Sequence, residues 1–319
     1  MRVVFFGTPE PAAVALDALL DSRHEVAAVV TQPDRPRGRS GTPVRPPAKE
    51  RALVAGLPVI QPETPREPGF AEALAAYAPD VCAVVAYGHI LPTEVLAVPS
   101  RGFVNVHFSL LPRYRGAAPV QRAVMAGETE TGVTTFLLEP TLDTGPILAA
   151  AREPIGPDDT TGTLMERLAA LGARLLTETL DGLEAGTLAP QTQDPGLATP
   201  APKVKPEEGK IDWSRSAGEI ANYVRGLNPT PGTYTNFRDK RLKIWRAQVH
   251  DRVNEPAPEG SQRGDEPPGS VVDIGKDRFG VATGQGVLEL LEVQQEGNKR
   301  LEVGAFVRGH HPKIGEVLG

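Results

Sequence analysis

The groups in this 319-residue chain best placed by type and spacing to do chemistry are Asn105 and His107, two apart, and Asp143 further on. Phe103-Val104-Asn105-Val106-His107 alternates apolar and polar positions as a strand does. Side chains two apart on a strand share a face, so the amide and the imidazole point the same way. The run then breaks into Pro112, Arg113, Arg115 and Gly116, an exposed loop by composition. That puts the pair at the end of a strand, where open α/β sheets bind ligands. Leu142-Asp143-Thr144-Gly145 follows another strand and can bring a carboxylate that orients or charges the imidazole. An amide, an imidazole and a carboxylate with no Ser or Cys nucleophile suit acyl transfer to an incoming amine. Taken without its flanks, an Asn-x-His pair is more often a satisfied edge pair than a catalytic one.

The elements that must hold these groups follow from periodicity. Apolar runs predict strands at 3–6, 26–30, 59–60, 81–86, 132–138 and 147–151 around the 103–107 strand. Helical spacing occupies 11–20, 46–56, 69–77, 120–127 and 163–183. Alternating β and α units of this kind predict an α/β fold, a Rossmann-like, doubly wound and mostly parallel sheet with right-handed crossovers. Gly7-Thr8-Pro9 is not a Gly-x-Gly-x-x-Gly loop, and no Gly-x-x-x-x-Gly-Lys-Ser/Thr occurs, so a dinucleotide enzyme is disfavoured. Residues 189–209 are polar, Pro-rich and aperiodic, as a linker between domains is. A further helix is expected over 214–226 with Ser214 as its N-cap. Short strands at 241–245, 270–274, 280–282 and 287–293, punctuated by Gly and Pro, then predict a small all-β barrel. Residues 251–269 are polar enough to predict a mobile loop between strands.

Length suits two domains. The net charge of −6 argues against a uniformly basic nucleic-acid binder, but the cations are clustered. Arg35, Arg37, Arg39, Arg45 and Lys49 gather in one region, and Arg238, Lys240, Arg241, Lys243 and Arg246 in another. The single Cys82 lies inside an apolar run, which excludes an intrachain disulfide and a Cys-rich zinc site and fits a reducing cytoplasm. His310 and His311 lack clustered acidic or Cys partners in the sequence, so no metal is expected there. No apolar run approaches the ~20 residues of a membrane helix. Met1-Arg2-Val3-Val4-Phe5-Phe6 reads as a buried strand and not as a signal peptide.

The flanks of the Asn-x-His pair carry a resemblance. Ser109-Leu-Leu-Pro-Arg-Tyr-Arg-Gly-Ala-Ala-Pro-Val-Gln121, Glu130-Thr-Gly-Val-Thr134 and Leu142-Asp-Thr-Gly145 closely resemble the methionyl-tRNA formyltransferases. Phe6-Gly7-Thr8-Pro9, Thr31-Gln-Pro-Asp-Arg-Pro36, Val85-Ala-Tyr-Gly88, Ile211-Asp-Trp-Ser214 and Arg225-Gly-Leu-Asn-Pro229 extend it over nearly the whole chain. The resemblance implies transfer of the formyl group of 10-formyltetrahydrofolate to the amino group of methionyl-initiator-tRNA for translation initiation. It implies Asn105, His107 and Asp143 as catalytic residues, and Ser109, Leu110, Leu111 and Pro112 as folate contacts. Tyr87 and Gly88 are expected to help form that pocket. It makes the 32–47 loop, with Arg39, the element that enters the tRNA acceptor end. It further implies a formyl-folate-binding catalytic domain over 1–188, a linker over 189–209, and a tRNA-binding OB-like barrel over 210–319. The expected protein is a cytoplasmic monomer with no metal and no membrane attachment.

Two departures from the family pattern stand out. Phe108 occupies a position usually held by Gly, with its ring expected on the face opposite His107. Gly41-Thr42-Pro43-Val44 replaces commonly Lys-rich residues. Another formyl-folate enzyme, acting on sugar nucleotides or serving a folate dehydrogenase, is the second reading. A tRNA-binding protein with a decayed site is the third; the intact Asn105, His107 and Asp143 argue against it.

Overall fold

The computed structural model describes residues 1–36, 41–250 and 266–319. They form two compact units, one of residues 1–119, 130–154 and 164–203, the other of 120–129, 155–163 and 204–319. Among the described residues no helix is long and apolar enough to cross a membrane.

The chain begins β1 (Arg2–Gly7), α1 (Glu10–Leu20), β2 (Glu25–Val30), then a two-strand ribbon of β3 (Arg35–Pro36) and β4 (Pro43–Val44). It continues through α2 (Pro47–Val54), β5 (Val59–Ile60), α3 (Phe70–Ala75), β6 (Val81–Val85), α4 (Thr93–Leu96) and β7 (Phe103–His107). There follow α5 (Pro119–Met125), β8 (Glu130–Leu137), β9 (Ile147–Pro154) and α6 (Thr161–Ala185). The main sheet runs β5-β2-β1-β6-β7-β8-β9. It is parallel from β5 to β7 and antiparallel at β7–β8 and β8–β9. The fold is thus a mostly parallel Rossmann-like sheet. Its central strands are near-continuous apolar runs because a parallel sheet is covered on both faces; β6 is buried at every position. Strand order reverses between β1 and β6, so the topological switch point lies at the carboxyl ends of those two strands, beside β7.

The alternation read from β7 is set by α6. A Cβ on Gly172 would stand 3.0 Å from Val106 Cγ1 and 3.4 Å from the Phe108 ring, so the helix lies close under those two side chains. Asn105 and His107 therefore take the other face. The packing of Val106 and Phe108 against α6 is what holds the polar pair on the opposite face of the strand.

The second unit contains α7 (Ala217–Gly226), β10 (Thr233–Phe237), β11 (Lys240–Val249), β12 (Val271–Gly275), β13 (Arg278–Ala282), β14 (Val287–Gln295), β15 (Leu301–Glu302) and α8 (Val303–His310). Its antiparallel sheet runs β10-β11-β14-β13-β12, with β15 paired to β14. Trp213, Phe237, Phe279, Leu288 and Phe306 pack in its core. The architecture is OB-like; among the described residues no pairing between β10 and β12 closes it into a barrel. The N-cap of α7 is Ser216 and not Ser214. Ser216 Oγ accepts from the Glu219 N–H at 3.3 Å while the Glu219 carboxylate accepts from the Ser216 N–H at 3.0 Å. This reciprocal pair outcompetes Ser214, whose hydroxyl donates to Asp212.

The aperiodic segment after α6 is ordered against the first unit. Gln191 exchanges two backbone hydrogen bonds of 2.8 Å with Ile147, and the Arg115 N–H and carbonyl pair with Thr199 and Ala201 at 2.8 and 2.6 Å. No apolar period marks the segment because its order comes from backbone pairing with loops. Of the polar stretch expected to form a loop at 251–269, residues 251–265 lie outside the described residues.

Candidate active site

Asn105, His107 and Asp143 line one cavity of about 450 Å³ at the carboxyl end of the parallel strands. Two segments supply much of its remaining wall, Tyr87 to Leu91 after β6 and Leu138 to Leu142 after β8. His107 is buried, and its ring donates from Nε2 to the Tyr114 carbonyl at 2.9 Å. A carbonyl can only accept, so this contact places the neutral ring's proton on Nε2 and leaves the Nδ1 lone pair free. The tautomer is set by Tyr114, a backbone group that sequence gives no sign of, where the carboxylate had been the expected source. Nδ1 stands 3.7 Å from Asp143 Oδ2, too far for a direct hydrogen bond and close enough to offset a positive charge on the ring.

Asp143 is itself held. Its Oδ2 accepts from the Gly116 N–H at 2.8 Å, and its backbone takes a left-handed φ of 53°. Close approach fixes the next turn, since a Cβ on Gly145 would collide with the Leu137 carbonyl oxygen.

The β6 side of the cavity rests on the base of the basic loop. Gln32 donates from Nε2 to the Tyr87 carbonyl at 2.8 Å, and Gln61 donates to the Gln32 carbonyl and to Asp34, each at 2.9 Å. Lys49 completes the chain on Asp34 at 2.8 Å and, with the Gln61 bond, holds that carboxyl below its usual range. Gly88 is required here: its φ is +85° and a Cβ would stand 2.6 Å from Gln32 Nε2. Tyr87 is a wall and not an acid. Burial, with Glu67 adding to it, pushes its phenol up to about 12. Cys82 is inert for the same reason, its thiol pushed well up by burial.

Ser109, Leu110, Leu111 and Pro112 stand apart from the cavity lining. They form the turn after β7: Ser109 Oγ donates to the Arg113 carbonyl at 2.6 Å, and Thr134 Oγ1 bridges the Ser109 carbonyl and the Leu111 N–H at 2.7 and 3.1 Å. Arg39 lies outside the described residues.

The chain matches the family model described as formyl transferase over residues 1–180, and that described as formyl transferase, C-terminal domain, over 203–311. It is 46% identical over 319 residues to the methionyl-tRNA formyltransferase of Lachnospira eligens, covering all of both chains. It is 48% identical over 320 residues to that of Streptomyces coelicolor, again covering all of both. The chain belongs to the methionyl-tRNA formyltransferase family. Solved structures share the fold at lower identity. HypX from Aquifex aeolicus in complex with tetrahydrofolic acid superposes with TM-score 0.65 at 17% identity, over 99% of this chain and 48% of that one. The N-formyltransferase from Helicobacter canadensis, in complex with folinic acid and dTDP-3-aminofucose, does so at 0.65 and 16%, over 92% and 99%.

In this family member the second basic cluster divides by environment. Arg238 is tied to Glu316 and to the carbonyls of His310 and His311. Arg241 instead lies over the Tyr234 ring at 4.2 Å, and Lys243 and Arg300 over Trp245 at 5.1 and 3.5 Å. Outside the cavity lining, His24, Asp181 and Glu184 form the one group of metal-ligating side chains found among the described residues. Its carboxylates are already bonded to Arg23 and to the Met1 nitrogen.

Proposed function

We propose that this protein transfers the formyl group of 10-formyltetrahydrofolate to the amino group of methionyl-initiator-tRNA, yielding formylmethionyl-tRNA for translation initiation. The observation that carries the mechanism is the convergence of Asn105, His107 and Asp143 on one cavity. A cavity of about 450 Å³ between two loop walls suits a pterin with its formyl-bearing nitrogen.

Attack by the amine forms a C–N bond and moves an electron pair onto the formyl oxygen. The Asn105 amide donates to that oxygen and stabilises it. His107, with Nε2–H occupied by Tyr114, has Nδ1 available as a base. It takes the proton the amine sheds and returns it to the folate nitrogen as the old C–N bond breaks, so protons balance across the reaction. Asp143, at 3.7 Å, stabilises the imidazolium between these two transfers. The turn of Ser109, Leu110, Leu111 and Pro112 contacts the part of the folate that extends past the cavity; its position one residue after the end of β7 supports this.

On the tRNA side we assign Arg39 a phosphate or base contact. Its loop is anchored at the base by Gln32, Asp34, Gln61 and Lys49 against the cavity wall. The 1–188 part carries folate chemistry, 189–209 connects, and the OB-like 210–319 part binds tRNA through the cations held on Tyr234 and Trp245. The protein acts as a cytoplasmic monomer. Purified protein, charged initiator tRNA and formyl-folate test the reading, with formylmethionyl-tRNA as the product; formation of none overturns it.

A further inference from the structure

Asp143 holds a left-handed backbone conformation that L residues disfavour, in a loop with no regular structure of its own. Something must over-determine that geometry. Gly116 holds the carboxylate, but the backbone is held from the other side, by Gln193. The Gln193 side chain is buried, and its Nε2 donates to the carbonyls of Asp143 and Gly145 at 2.9 and 2.8 Å. Its Oε1 accepts from Arg115 Nε and Nη2 at 3.1 and 2.7 Å. This orientation of the amide is the one that works. Flipped, its oxygen would meet two carbonyl oxygens and its NH2 a guanidinium, so every contact would become repulsive.

Both partners are anchored independently of that amide. Gln191, two residues before Gln193, is paired with Ile147 at the start of β9, and Arg115 is paired through its backbone with Thr199 and Ala201. Arg115 directly follows Tyr114, whose carbonyl fixes the His107 ring. One buried amide therefore ties the loop that sets His107 to the loop that carries Asp143.

We propose that Gln193, braced by Arg115, is a positioning residue for the formyl transfer, holding Asp143 at its working distance from His107. This rests on the catalytic reading of Asp143 given above. It makes no contact with substrate; its two donors act on the Asp143 loop, while Arg115 is the brace that holds the amide in place.

Gln193→Glu keeps the size and the Arg115 pairing but replaces the two donors by an acceptor facing carbonyls. Gln193→Met keeps the size and removes donors and acceptor together, without a buried charge. Each is compared with Asp143→Ala and with the double variants in steady-state kinetics, with thermal midpoints showing which variants fold. The expected result, read from whichever Gln193 variant folds, is a kcat lower by roughly 10–100-fold, the scale of an ångström-sized misplacement, with both KM values near wild type. In the Asp143→Ala background the same change adds no further loss. A purely structural glutamine would lower the midpoint and leave kcat per folded molecule alone. Wild-type kcat in a Gln193 variant, or losses that multiply with Asp143→Ala, overturns the positioning role while the catalytic one stands. An active Asp143→Ala overturns both.

Discussion

Two buried histidines of this protein sit beside carboxylates at similar range, and only one of them faces a cavity. His24 Nε2 is 3.3 Å from Asp181, and His107 Nδ1 is 3.7 Å from Asp143. Around His24 the neighbours are charged and close the site: Met1 nitrogen stands 3.2 Å from Nδ1, and Arg23 takes both Asp181 and Glu184. His107 has one nitrogen occupied by a neutral carbonyl and the other open between Asp143 and the cavity. Burial and a nearby carboxylate are thus common to an imidazole enclosed by charged neighbours and to one that faces a cavity. What separates them is which groups their neighbours have already used.

The largest expected effect tests that contrast directly. Asn105→Ala, His107→Ala and Asp143→Ala should each lower turnover, by ~10²–10³ for the lost oxyanion donor. Folding should be retained, and His24→Gln should leave turnover per folded molecule unchanged. Single-turnover rates alongside thermal melts measure both; near-wild-type turnover in Asp143→Ala would remove the distinction between the two histidines.

The same logic extends to the cations. Arg39→Leu should raise the apparent KM for tRNA roughly tenfold, the scale of one charge-assisted hydrogen bond of about 1.5 kcal/mol, and leave folate binding alone. Unchanged tRNA kinetics would make that arginine a solvated one. In the second unit Arg238 is already spent on Glu316 and two carbonyls, whereas Arg241 and Lys243 lie over the Tyr234 and Trp245 rings. Neutralising Lys240, Arg241 and Lys243 together should flatten the log–log salt dependence of tRNA binding by ~0.7–0.9 per phosphate lost. Arg238→Gln should instead lower the melting midpoint and keep the slope. Identical slopes for wild type and the triple variant would place recognition elsewhere.

The smallest expected effect belongs to His24. Burial first, then the Met1 ammonium, lower its pKa from 6.5. The unfolded chain therefore takes up a proton the folded one resists, so stability falls as pH drops through 6.5 and below. Melting midpoints from pH 5 to 8 should show a shallower acid-side fall in His24→Gln than in wild type. Parallel curves would mean that other groups set the acid limit.

How legible the site was in the sequence depends on how each group is held. Asn105 and His107 were readable because a strand's two-residue period decides which way side chains point, and α6 enforces it through Gly172. Asp143 was readable as a polar residue in a Gly-bearing loop after a strand. Tyr114 was not, since its contribution is a carbonyl that every residue owns. Gln193 was hidden in a stretch whose polarity describes a solvated linker equally well. The capping serine was readable and misplaced by two positions, although Ser216 and Glu219 stand at capping-box spacing. Ser109, Leu110, Leu111 and Pro112 were readable only as a turn after a strand; that Thr134 and the Arg113 carbonyl hold this turn depends on groups far along the chain or on the backbone.

The interleaving of the two units has a consequence for anyone who would recombine this enzyme with a relative. Residues 120–129 and 155–163 belong with 204–319, although they lie within residues 1–180, the stretch matched by the formyl transferase family model. Thr161 Oγ1 donates to the Gly226 carbonyl at 2.6 Å, and Arg225 reaches the Gly156 and Asp159 carbonyls at 3.2 and 2.9 Å. A chimera joined at a single crossover near residue 204 would import a C-terminal half while leaving both of its earlier segments behind. Chimeras that carry those two segments with the C-terminal half are the ones expected to inherit its stability intact.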